Sequence, residues 1–146
     1  MSSEQQETTQ FSLSRKLYLL IALAILSIFL TSCLDLANNT VQIEIPSPGA
    51  KYKAAVFNRD AGATTDFSTQ ISVLGVSDRL PAGAGNVFIC DSGHGKVTDN
   101  YDQGGPRVAV HWESDTRLVV EVPNAARFFK KETKIGEVEI EYLEKK

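Results

Sequence analysis

The chain has 146 residues, a net charge of −3 and 42% hydrophobic residues, which suits one modest domain. Acidic and basic residues are interspersed, and no basic block is present to neutralise a row of phosphates, which argues against a nucleic-acid partner. Cys33 and Cys90 are the whole thiol inventory, too few for a disulfide framework.

Residues 1–14 are polar and patternless. Arg15 and Lys16 follow, then an apolar run over 17–30 broken only by Tyr18 and Ser27. A positive flank, a short apolar stretch and then small residues make the layout of a secretory signal. Fourteen helical residues reach about 21 Å, short of the roughly 30 Å hydrocarbon core. Leu30-Thr31-Ser32-Cys33 closes the run and resembles the lipobox of bacterial lipoproteins. That resemblance implies cleavage after Ser32 and diacylglycerol on Cys33, where two or more acyl chains give stable anchoring. Counted together with 31–36, the run instead reaches about twenty residues and reads as an uncleaved transmembrane helix. Both versions keep Arg15 and Lys16 in the cytoplasm and place the remainder outside the bacterial cell membrane. The expected organisation is a signal peptide or anchor over 1–32, a linker over 33–40 and an extracytoplasmic β domain over 41–146.

Residues 41–45 alternate Val, Ile and Ile against Gln and Glu, the period of a half-buried strand, and Pro46-Ser47-Pro48-Gly49 turns the chain. Residues 52–57 are apolar on both parities and read as a central strand, and 67–74 alternates again. A Gly/Pro-rich loop over 78–85 precedes a strand over 86–90, in which Cys90 reads as a small apolar filler. Residues 91–106 are crowded with Gly, Asp, Ser and Asn and read as a long exposed loop. Strands over 107–112 and 118–122 flank the turn Glu113-Ser114-Asp115-Thr116, with Trp112 as a core anchor sharing parity with Val108 and Val110. Residues 125–132 have room for a helical turn. The last strand, over 135–142, turns Val138, Ile140 and Tyr142 inward and Glu137, Glu139 and Glu141 outward, a charged face that suits a sheet edge. About seven short strands predict an all-β fold, either a small antiparallel sandwich or a partly open barrel.

Ser47-Pro48-Gly49-Ala50-Lys51-Tyr52-Lys53-Ala54-Ala55-Val56-Phe57, with Arg59-Asp60-Ala61-Gly62-Ala63-Thr64-Thr65 and Phe67-Ser68-Thr69-Gln70, resembles an uncharacterised family of small bacterial proteins. Its members carry an S-P-x-G-K-x-K-A-x-x-F…R-D-C-G-A-T-T-x-F-S-T-Q-V run behind a membrane or lipoprotein signal. This chain departs from the run at Ala61, where the family has cysteine. The resemblance supplies no catalytic residues.

Two stretches carry chemistry. Arg59, Asp60, Thr64, Thr65 and Asp66 form a candidate binding loop: an arginine fork suits a carboxylate or phosphate, and the threonines add hydroxyls. The structural alternative pairs Arg59 with Asp60 or Asp66. Asp91, Ser92 and His94 hold an acid, a hydroxyl and an imidazole within four residues, but such groups are normally assembled from distant segments. His94 and His111 are the only histidines, and neither His-x-x-x-His nor clustered Asp-x-Asp spacing occurs, so no metal and no cofactor are expected. The resulting expectation is a membrane-anchored, non-catalytic binding or structural lipoprotein, with an envelope protein as candidate partner. An inhibitor or immunity-type envelope protein is the alternative, followed by a hydrolase built on Asp91, Ser92 and His94.

Overall fold

The computed structural model describes residues 37–60, 62, 66–102 and 104–145. The signal or anchor segment and Cys33 lie outside the described residues, as do Thr64 and Thr65. Nine strands are present among them: β1 (Asn38–Pro46), β2 (Tyr52–Asp60), β3 (Ser68–Gly75), β4 (Phe88–Asp91), β5 (Ala109–Ser114), β6 (Arg117–Pro123), β7 (Arg127–Lys131), β8 (Lys134–Ile135) and β9 (Val138–Lys145). They form a five-stranded sheet, ordered β1-β2-β3-β4-β7, and a four-stranded sheet, ordered β5-β6-β9-β8. Every pairing is antiparallel except that of β6 with β9. Val56, Ile71 and Phe88 from the first sheet share one core with Leu118, Val120 and Ile140 from the second. The domain is therefore an all-β sandwich, which resolves the choice against a barrel.

The period-2 patterning explains most strands. Alternate residues of β6 (Leu118, Val120, Val122) and of β9 (Val138, Ile140) are buried in the core. β2 is the interior strand that its double-sided apolar composition predicts, flanked by β1 and β3.

Several boundaries differ from expectation. The linker ends sooner, because β1 begins at Asn38 and pairs with the end of β2 as Asn38↔Asp60 and Asn39↔Arg59. Residues 127–131 form β7 rather than a helical turn: Phe128 packs on Phe88 at 5.8 Å, and the strand pairs with β4. Gly136, at φ 56°, splits the expected last strand into the β8–β9 hairpin and places Glu137 in its turn. β9 is thus flanked by β6 on one side and by β8 for two residues on the other. Residues 92–106 are not a plain exposed loop. Val97, Gly105 and Pro106 are buried, Tyr101 N–H donates to Gly105 O at 2.9 Å, and the Thr69 hydroxyl donates to Pro106 O at 2.7 Å. Gly105 sits at φ 79°, and a Cβ there would come within 2.7 Å of Thr69 Oγ1, so the plug needs glycine at this point.

The two layers are fastened along both sides. Trp112 on β5 packs against the core and donates its indole N–H to Ile45 O on β1 at 2.9 Å. On the other side Tyr142 of β9 donates to Glu132 O at 2.7 Å. At one end, Gly49 N–H donates to Asp115 at 2.6 Å and Lys51 meets Glu137 at 2.6 Å. Cys90 is a buried free thiol in the core, and burial, with the negative Asp91 beside it, pushes it up to about 12.

Two measurements check this packing. Trp112→Phe removes the inter-sheet hydrogen bond and part of the ring's packing and should cost about 1–2 kcal/mol in urea unfolding, while Trp112→Ala should cost about 3 kcal/mol or more. Ala50 adopts φ 52° in the β1–β2 turn. Left-handed backbone costs a residue with a Cβ about 1–2 kcal/mol, partly offset by glycine's greater unfolded-state freedom. Ala50→Gly should therefore raise stability by about 0.5–1 kcal/mol, read as a higher thermal midpoint.

Candidate functional site

Register aligns one residue from each strand of the first sheet in a single row: Asn39, Arg59, Ser68, Asp91 and Arg127. Paired residues project to the same face. Val56 and Ala54 of β2 point into the core, so Arg59, Phe57 and Ala55 of the opposite parity occupy the outer face. That face is nonetheless buried: Ala55 and Phe57 are fully enclosed, and Arg59, Gln70, Ser72 and Asp91 are buried with them.

The cover is the segment between β3 and β4. Arg59 Nη1 donates to Ala82 O at 2.6 Å and to Asn39 Oδ1 at 2.8 Å. Asn39 Nδ2 donates to Pro81 O and Gly83 O, Gly85 N–H donates to Gln70 Oε1 at 2.7 Å, and Lys130 Nζ donates to Gly85 O at 3.0 Å. Asn86 completes the seam, its side chain bridging Val73 N–H and Val73 O at 2.9 Å each. A loop laid over a sheet must have its backbone groups satisfied, and these side chains satisfy them.

This places the first candidate set. Arg59 belongs to β2, and its Nη1 holds the covering segment. Asp60 ends β2 and its Oδ1 accepts Gly62 N–H at 2.9 Å, while Asp66 is exposed.

The second set sits at the other side of the same row. Asp91 is 3% exposed, and its Oδ2 accepts from Arg127 Nε at 3.1 Å and from Arg127 Nη2. Its Oδ1 accepts Gly93 N–H at 2.8 Å. Burial alone would push the Asp91 carboxyl up, but the Arg127 guanidinium and the Gly93 N–H outweigh it and hold it below the usual carboxylate range. Gly93, His94 and Gly95 all take positive φ, and a Cβ on Gly93 would come within 2.5 Å of Ala125 O. The Ser92 hydroxyl oxygen accepts Gly95 N–H at 3.1 Å. His94 Nε2 lies 3.1 Å from Arg127 Nη1, and since arginine only donates, that nitrogen accepts.

Asp91, Ser92 and His94 therefore come near one another, but each is engaged in closing the 91–95 turn onto β7. Arg127 is the residue that sequence reasoning missed, hidden in a stretch read as a helical turn. Its guanidinium also lies over the exposed Phe129 ring at 4.8 Å, and the β-favouring aromatic pair Phe128-Phe129 was the available signal. His111 is exposed on β5, away from this row. Among the described residues, no group of three or more His, Cys, Asp or Glu is placed to hold a metal ion. No protein-family model, curated protein or solved structure matches the chain.

Asp91 has a lowered native pKa, so its ionised form stabilises the fold at pH values above the ordinary carboxylate value of about 3.9. That contribution is lost as pH falls through the lowered native value. Asp91→Asn should cost about 2 kcal/mol near neutrality, and the gap from wild type should narrow below about pH 4. Urea unfolding from pH 2 to 7 measures it.

Proposed function

We propose that this chain is an extracytoplasmic, membrane-anchored protein of the bacterial envelope that works by binding or scaffolding rather than catalysis. The observation that carries the non-catalytic part is the engagement of Asp91, Ser92 and His94 by Arg127, Gly93 and Gly95, which spends an acid, a hydroxyl and an imidazole on holding a turn. Support for anchoring comes from the apolar run over 17–30 and from Leu30-Thr31-Ser32-Cys33, with diacylglycerol on Cys33. The resemblance of the 47–70 run to small proteins that carry such signals points the same way.

The test is incorporation of radiolabelled palmitate into the chain and into Cys33→Ser. Label in the wild type alone is the expected outcome, with the variant folded but altered in its anchoring because the apolar run over 17–30 stays unprocessed. Equal label in both forms removes Cys33 as the acylation site, and no label in either favours an uncleaved helix as the anchor.

A further inference from the structure

We propose that the sandwich stands end-on against the bilayer, with Phe67 at headgroup depth on a zwitterionic phospholipid surface. This rests on the anchored reading above. Residues 34–37 alone separate Cys33 from Asn38, the first residue of β1. From Cys33 to Asn38 the chain reaches at most about 18 Å when fully extended. A nine-residue strand such as β1 is about 30 Å long. The tether is therefore shorter than the domain, and it holds the Asn38 end nearest the surface. The opposite end, where Gly49 meets Asp115, is carried about 30 Å farther out.

Four of the six large apolar side chains exposed among the described residues lie in the near half, while Ile43 is mid-strand in β1 and Val76 follows β3 at the far end. Register puts the end of β2, the start of β3, the end of β4 and the start of β7 beside the start of β1. Phe67, 42% exposed, directly precedes β3, and Val41, 45% exposed, is the fourth residue of β1. Phe129, 59% exposed, is the third residue of β7. Leu143, 44% exposed, lies two residues from the end of β9, and that end pairs with the end of β6 as Pro123↔Lys145. Phe67 leads the group. Its ring lies against Gly104, where a Cβ would come within 2.6 Å, so the ring is propped at the tip by the 97–106 plug.

The charges around this tip have both signs. Asp60, Asp66 and Asp102 are exposed, as are Lys145 and the half-exposed Arg107. Such a rim gives no net attraction to anionic lipid, so apolar contact with a zwitterionic surface is the interaction that the tip offers.

Trp112 is the only tryptophan, and its bond to Ile45 places it toward the far end of β1. It serves as an internal reference. The full-length chain and Phe67→Trp are reconstituted in phosphatidylcholine vesicles, with and without bromine on the upper acyl chain, and floated on a density gradient. An indole seated about 5–10 Å into the interface should lose about half its emission to the bromolipid. The expected result is that both proteins float, that the added emission of Phe67→Trp is quenched, and that Trp112 of the wild type is not. An unquenched added indole in a chain that floats would overturn end-on seating while leaving the anchor intact. Quenching of Trp112 would also overturn it, because the domain would then lie on its β1–β5 side. A chain that fails to float overturns the anchored reading and the seat with it.

Discussion

Strand β2 is buried over six consecutive residues, Ala54 to Arg59, and both of its faces must be covered. A strand in a two-layer sandwich has one face on the core and one on water. Here the core face is met by the second sheet, whereas Phe57 and Arg59 on the other face would stand in solvent beside the polar Gln70 and Ser72. The segment between β3 and β4 is drawn across them, which makes a partial third layer without regular structure. Such a layer carries backbone groups that no sheet ladder satisfies. Arg59, Asn39, Gln70, Asn86 and Lys130 supply the missing partners, so the polar composition of this face follows from the need to hold its lid.

The same device recurs wherever the chain leaves a sheet. Asn58 and Thr69, at the end of the core, reach the backbone of Gly104 and Pro106 and so dock the long 92–106 crossing. Asp91 and Arg127 dock the turn at Gly93. In each case one or two buried polar side chains replace the regular hydrogen-bonding that a helix would have provided. Leaving such a group unpaired in the interior costs far more than the pair gains. These positions therefore tolerate substitution less well than their polar character suggests.

Much of the architecture was legible. Period-2 alternation located β1, β3, β5, β6 and β9, and the apolar residues on both parities of 52–57 identified the interior strand, because both signals come directly from which face meets the core. β7 was not legible: Phe128 alone points inward, and a bulge opposite Ile89 and Cys90 breaks its alternation. The split of the last strand turned on Gly136, whose positive φ leaves no mark in hydrophobic pattern. Of the candidate site residues, Arg59 and Asp91 were singled out for their chemistry, but their partners lay 23 and 36 residues away. Side-chain contacts across that distance carry no local sequence signature. That is why a buried clamp and a recognition loop read alike in one dimension.

The position of Arg59 bears on the eight-residue connection that follows it. Arg59 and Ser68 are register partners, so the link from β2 to β3 leaves from and returns to one row of the sheet. That row is held on its β1 side by the Asn39–Arg59 contact and on its β7 side by the Asp91–Arg127 pair. The base of the link is thus fixed on both sides of the row by buried polar groups. The Arg59 guanidinium belongs to the frame that fixes where the link leaves and where it returns.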